Sequence, residues 1–313
     1  MKKQIVSLLA ATILFAGVPS VVHTANAATT SKQQVEVLLD ARKMTFPDAK
    51  PFQDDNSAVM VPIRFVSEKL GATVGWSKSA GKQVVTLKTD KHSVSMTVGS
   101  ATAVVDGESK TYDSKIILKQ SRTFVPLRLV SEGLGQTVNW DQIGKWVWIG
   151  SKEVPTLDSI NLNIQSIAPF KKYFQREKAD YYLKNSSGTP YQNVINLKSS
   201  NLPLKMNGTI LYDLKPATIN GVNYIQMRTD KYPIQLEYLT KFDDLRTRSD
   251  RNKLTTKNSD GTYYHYFELV SYADQDLHGI FDKNPLTIKD LDFLMFFSVS
   301  EKSLVLMSNP WSN

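Results

Sequence analysis

The clearest pattern along the chain is an arrangement of apolar and polar positions that occurs twice. Val61-Pro62-Ile63-Arg64-Phe65-Val66-Ser67-Glu68-Lys69-Leu70-Gly71-Ala72-Thr73-Val74-Gly75-Trp76 returns 64 positions later as Val125-Pro126-Leu127-Arg128-Leu129-Val130-Ser131-Glu132-Gly133-Leu134-Gly135-Gln136-Thr137-Val138-Asn139-Trp140. Eleven of the sixteen positions are identical, which marks an internal duplication. In each copy Pro62 or Pro126 opens a short helix, where its missing N–H costs nothing. Phe65, Val66 and Leu70, and likewise Leu129, Val130 and Leu134, are expected to face a core. Gly71 and Gly135 then end the helices in left-handed caps. Strands follow at 73–76 and 137–140, then at 83–87 and 145–149. Further strand-like runs precede each helix, at 34–39 for the first copy and at 93–98 and 101–105 for the second, the last closed by an Asp106-Gly107 turn.

Several side chains in this half invite a functional reading. Arg64 with Glu68, and Arg128 with Glu132, are spaced i,i+4; they are expected to be helix-face ion pairs or structural arginines, worth a few tenths of a kcal/mol. Trp76 and Trp140 are expected to be core pillars first and ligand platforms second. Trp146 and Trp148 share one face of a strand and are the binding candidates of this half.

Beyond a Pro155-containing linker at 151–159 the pattern changes. Twelve of thirteen tyrosines lie past Ile160, and four of five tryptophans before it, which argues for a second module. Strands are expected at 209–214, 222–228, 234–239, 262–272, 291–299 and 303–307. Asn220-Gly221 marks one hairpin and Glu301-Lys302 the turn of another. A helix is expected near 169–182. The expected fold class is therefore α+β: a duplicated strand–helix–strand unit at 28–150, then a β-rich domain at 160–313, either a sandwich or a twisted sheet.

The first 27 residues read as an address. Lys2 and Lys3 precede the apolar run 5–18 and the small-residue exit Ala25-Asn26-Ala27, the layout of a secretory signal peptide. Cleavage after Ala27 leaves 286 residues with a net charge of +6. No later stretch approaches the roughly 20 apolar residues of a membrane span, and a secreted or envelope-associated protein is expected. Cysteine is absent, which excludes disulfides, thiolate metal ligands, cysteine nucleophiles and a lipid-modified N-terminal cysteine.

His92, His265 and His278 form no HxH or HExxH pair, and no nucleophile elbow, Walker loop or dinucleotide fingerprint is present. No catalytic or metal-ligating residue is assigned, and no cofactor is expected. Asp243-Asp244 reads as a solvated loop, Asn258-Ser259-Asp260-Gly261 as a hairpin turn ahead of a calcium loop, and Asp274-x-Asp276-x-His278 as a solvated turn ahead of a cation site. The most unusual string is Tyr263-Tyr264-His265-Tyr266-Phe267. In a strand, one of its faces packs a core while Tyr264 and Tyr266 share the other; Tyr263, Tyr264 and Tyr266 are the ligand candidates of this half, as platforms for sugar rings.

The duplicated Val-Pro-(Ile/Leu)-Arg-x-Val-Ser-Glu-x-Leu-Gly-x-Thr-Val-x-Trp motif, with Asp106-Gly107 between its copies, resembles the copper amine oxidase N-terminal-like (stalk) domain family over about residues 33–150. That resemblance implies an α+β module on secreted or surface proteins, mainly of Gram-positive bacteria, and not the copper-bearing catalytic domain. One departure stands out: Asp40-Ala41 occupies a place where Asp-Gly is usual. The expected function is non-enzymatic binding of a cell-wall or extracellular polymer, glycan or anionic, through the C-terminal half. The alternatives are an envelope polymer hydrolase or a surface scaffold that acts through protein contacts. No nucleic acid partner is expected, and the sequence leaves the oligomeric state open.

Overall fold

A computed structural model describes residues 34–176, 178–272, 274 and 285–312. The expected signal peptide, and Asp276 and His278, lie outside those residues. The described chain is mostly β-sheet with few helices. It begins with β1 (Glu36–Leu39), β2 (Arg42–Lys43), β3 (Phe52–Gln53), β4 (Val59–Pro62), α1 (Ile63–Lys69), β5 (Thr73–Ser79) and β6 (Lys82–Lys88). Next come β7 (Ser93–Thr97), β8 (Thr102–Val105), β9 (Glu108–Thr111), β10 (Ile117–Lys119), β11 (Arg122–Pro126), α2 (Leu127–Gly133), β12 (Val138–Asp141) and β13 (Trp146–Ile149).

The pairing in this half follows the duplication. Strands β4 and β11 run antiparallel with Val61 opposite Val125, Met60 opposite Pro126 and Pro62 opposite Phe124. The register is symmetric between the copies, with an approximate two-fold axis through the two valines. That pair lies at the centre of a sheet in the order β10-β11-β4-β3. The hairpin that follows α2 pairs with the strands that lead the first copy, in the order β12-β13-β1-β2, with β13 parallel to β1. The hairpin that follows α1 meets the strands leading the second copy through one extra strand, in the order β5-β6-β7-β8-β9. The extra strand explains one difference between the copies. Lys69 of α1 corresponds to Gly133 of α2, where a Cβ would stand 2.8 Å from a Val94 methyl on β7. Both helices end as their glycines require: Gly71 and Gly135 sit at φ 75°, and the amides of Ala72 and Gln136 bond back to the Ser67 and Ser131 carbonyls. Ala41 turns at φ 58° in place of the usual glycine, and its methyl is buried beside Trp146 and Trp148, which offsets the left-handed strain. One core, built from Val61, Val66, Leu87, Val125, Val130 and their neighbours, closes this half.

The second half contributes β14 (Ile164–Ser166), β15 (Asn193–Leu197), β16 (Leu204–Met206), β17 (Thr209–Ile219), β18 (Val222–Thr229) and β19 (Leu236–Thr240). It continues through β20 (Leu245–Arg246), β21 (Thr256–Lys257), β22 (Tyr263–Glu268), β23 (Leu291–Phe296) and β24 (Leu304–Ser308). Two sheets form, in the orders β16-β17-β18-β22-β21 and β14-β15-β24-β23-β19-β20. Their facing side chains, among them Leu211, Ile225, Phe267, Leu236, Leu294 and Met307, make the largest core. Asn220 and Gly221, both at positive φ, turn β17 into β18.

The expected helix at 169–182 is instead two short 3₁₀ segments, Ala168–Phe174 and Ala179–Leu183. They lay Phe170, Tyr173 and Phe174 over the outer face of the second sheet, against Leu239, Met295 and Leu306. That cover, with the core on the other side, leaves β19 buried at all five residues. The expected linker at 151–159 is also tied down. Leu157 joins the largest core, Val154 packs beside the tryptophans, and the Lys205 amide donates to the Pro155 carbonyl at 2.8 Å.

Candidate functional site

The two tryptophans expected in the core stand at the surface, and the two expected at the surface are buried. Trp76 and Trp140 keep 41% and 38% of their area open, whereas Trp146 and Trp148 keep 1% and 5%. Alternation places Trp76 on the face of Val74, which packs on the core, and Trp140 on that of Val138. The covering layer ends before the last residue, so each indole projects past its rim.

Each exposed indole lines an open groove. The first groove, of about 460 Å³, takes Pro126, Leu127 and Arg128 from the start of α2, and Trp140, Lys145 and Val147 from the following hairpin. Its opposite wall is the β3–β4 turn of the other copy, from Gln53 to Val59. The second groove, of about 380 Å³, takes Pro62, Ile63, Arg64 and Phe65 from the equivalent helix start, with Trp76 and Gln83. Its opposite wall is the equivalent β10–β11 turn, from Leu118 to Thr123. The same repeat positions thus build both grooves, each with a wall borrowed from the other copy.

Their charges are modest. In the first groove Arg128 lies 3.5 Å from Glu132 and largely in solvent, and the Lys145 ammonium sits 5.8 Å over the Trp140 ring. Trp140 Nε1 donates to Gln142 at 2.6 Å, which holds the indole in place. In the second groove Arg122 donates twice to Asp48 Oδ2, at 2.6 and 2.9 Å, and these bonds hold the Asp48 carboxyl below the usual range. Arg64 is exposed and forms no ion pair with Glu68 or any other described residue. An exposed indole beside a guanidinium in an open trough can stack a flat amphipathic ring and pair with an anionic substituent on it.

The tyrosine string of β22 takes a different place. Tyr266 is buried with Tyr224 under Leu254, and Gln226 Nε2 donates to its hydroxyl at 2.9 Å. Tyr264 is half-buried in the same cluster, so the face expected to be an open platform is covered by the 250–257 segment. Tyr263 borders an open groove, of about 490 Å³, with Asp230, Tyr232, Asp250 and His265.

Among the described residues, that groove holds an arrangement that resembles a nucleophilic site. His265 lies 3.1 Å from Thr229 Oγ1 and 3.3 Å from Asp250 Oδ2. Burial pushes the Asp250 carboxyl up, but the bonds from His265, the Tyr266 amide and Thr255 outweigh it and hold it below its ordinary value. Thr229 is fully buried, so no substrate carbonyl can reach its hydroxyl. The chain Thr229–His265–Asp250 pins β22 to its neighbours.

Two acidic groups expected in solvent are likewise structural. Asp244 is buried against Arg246, and Asp274 is taken by Arg248 at 2.8 and 3.0 Å, while Asp243 stays outside with Lys172. Asp260, in the hairpin turn before β22, is held by Arg228 and Thr262.

Trp146 and Trp148 lie in a seam between the two halves. Arg228 of β18 donates to both oxygens of Asp141, at 2.8 and 3.1 Å, and to Asp260 at 2.5 Å. Its guanidinium lies over Tyr212 at 4.9 Å and over Trp146 at 5.8 Å. Gly144 admits it: a Cβ there would stand 2.5 Å from an Arg228 nitrogen.

Residues 38–149 match the family model of the copper amine oxidase N-terminal domain, and that segment is a copper amine oxidase N-terminal-like domain. The match contains both grooves' helix starts and both exposed tryptophans, and the C-terminal part matches no family model. Among curated proteins no significant relative is found.

Proposed function

We propose that this protein, with its copper amine oxidase N-terminal-like domain, is an exported, non-enzymatic component of a bacterial envelope that binds a cell-wall or extracellular polymer. The observation that carries this reading is the pair of open grooves, each with an exposed indole and an exposed guanidinium at equivalent positions. Open troughs suit a chain that passes across them, whereas catalysis calls for convergent polar groups in an enclosed pocket. The reading moves the binding surface from the C-terminal tyrosines to the duplicated N-terminal unit. Export rests on the N-terminal charge pattern and on the Ala25-Asn26-Ala27 exit.

The test is retention of the mature protein on purified cell walls across a salt series. Exposed charges are screened over about 8 Å at physiological ionic strength, so purely electrostatic binding falls steeply with salt, while stacking persists. The expected result is retention that survives salt and is lost on Trp76→Ala with Trp140→Ala. The hydrolase is the second reading; with Thr229 out of reach, it requires the His265–Asp250 pair to activate a water instead. It predicts release of soluble fragments that His265→Ala abolishes; the binding reading predicts none, with retention unchanged by that substitution. Protein recovered from culture fluid or envelope is expected to begin at Ala28.

A further inference from the structure

The likeness of the two grooves goes beyond what the core requires. Between the copies the inward positions are largely kept, as at Val61/Val125, Val66/Val130 and Leu70/Leu134, with Ile63 replaced by Leu127 and Phe65 by Leu129. The arginines and tryptophans are kept as well, although they stand on exposed positions. Packing explains a retained buried residue but gives no reason to retain an exposed indole, which leaves apolar area in water until something covers it.

The groove chemistry also narrows the ligand. The indole calls for a flat ring with an apolar face. The guanidinium calls for a carboxylate, whose two oxygens match its fork. Arg122 is already satisfied by Asp48, Arg128 shares Glu132 and the Lys145 ammonium lies over the Trp140 ring, so neither groove offers the run of free cations that a polyphosphate needs. A neutral sugar would make no use of Arg64, which has no ion-pair partner among the described residues.

We propose that each groove is one subsite for a pyranose ring bearing a carboxylate, with Trp76 or Trp140 stacking the ring and Arg64 or Arg128 pairing with the acid. One acidic polysaccharide chain then engages both subsites at once. This rests on the polymer-binding reading above and gives it a ligand class and a number of sites.

The test is titration calorimetry of the mature full-length protein with trigalacturonate, polygalacturonate, dextran and polyphosphate, with tryptophan emission as a second signal. Trigalacturonate is expected to bind at two sites per chain, falling to one in Trp76→Ala or Trp140→Ala and to none in the double variant. Arg64→Gln and Arg128→Gln, also at exposed positions, are each expected to weaken their own site about tenfold. For polygalacturonate, losing either site removes two-point attachment and is expected to lower affinity by about a hundredfold. Dextran and polyphosphate are expected to bind at least tenfold more weakly than polygalacturonate. A single trigalacturonate site, binding that survives in the double variant, dextran binding of equal strength, or tryptophan-independent binding of polyphosphate would overturn the proposal. If the double variant is retained on cell walls as well as the wild type, polymer binding stands and this assignment falls. If the wild type is not retained while trigalacturonate fills two sites, the wall reading falls and the subsites stand.

Discussion

Ser67 and Ser131 occupy the same place in the two copies, and both bury a hydroxyl with no hydrogen-bond partner. A buried unsatisfied hydroxyl costs about 1–3 kcal/mol, and alanine is the better helix former by a few tenths. Ser67→Ala and Ser131→Ala are each expected to raise stability by about 1 kcal/mol, read as a higher urea midpoint with an unchanged slope. Glu237 sets a pH dependence. Burial pushes its carboxyl from 4.5 up to about 7, even though Gln235 Nε2 and the Arg248 amide donate to it. The folded chain therefore holds this proton more tightly than the unfolded chain. The stabilisation is full below about pH 4.5 and is lost as the pH rises to about 7. At 1.36 kcal/mol per pKa unit, wild-type stability is expected to fall by about 3 kcal/mol relative to Glu237→Gln across that window. Urea titrations of both proteins at pH 4.5, 6 and 8 check the sign as well as the size.

At the scale of elements, the sequence showed which face a residue takes but not how far the opposing layer extends. Alternation assigned Trp76 and Val74 to one face correctly, yet the core stops between them. The reverse happened on β13 and β19. Trp148 read as a binding face, but Val154 and Tyr212 from distant segments pack against it, and on β19 the 3₁₀ turns after Ile167 cover the outer face at Leu239. Local signals were legible because their physics is local, as at the Asn220-Gly221 turn and the two glycine helix caps. The duplication does not separate the exposed tryptophans from the core positions kept beside them, such as Val74 and Val138, so their exposure was not legible in the sequence. The covered face of β22 carries its own prediction. Tyr266→Ala removes a buried ring and leaves Gln226 Nε2 without its acceptor, so it is expected to cost about 3 kcal/mol. Trp76→Ala, at an exposed position, is expected to cost less than about 1 kcal/mol. Thermal melts of the two variants separate a packing residue from a binding residue.

At the scale of the whole molecule, the seam decides whether the halves behave as independent modules. The N-terminal core draws only on residues between Val35 and Ile149, so a fragment of residues 28–150 has what it needs to fold. The same cut strips cover from Leu38, Trp146 and Trp148, and it takes from Asp141 the guanidinium that both its oxygens receive. Separation thus exposes an apolar patch beside an unpaired carboxylate. The fragment is expected to unfold cooperatively but at a lower temperature than the intact chain. Its tryptophan emission should be red-shifted, and it should bind a hydrophobic dye that the full protein excludes. In the intact chain, Arg228→Ala leaves Asp141 without its bidentate partner. It is expected to cost about 3 kcal/mol, toward the low end for breaking a buried pair because Asp260 remains partly in solvent. Arg228→Met keeps part of the packing over Trp146 and Tyr212 and should lose less. A fragment that melts with the intact chain and binds no dye would mean that the two halves merely touch. A fragment that fails to fold would make the seam part of the N-terminal core itself.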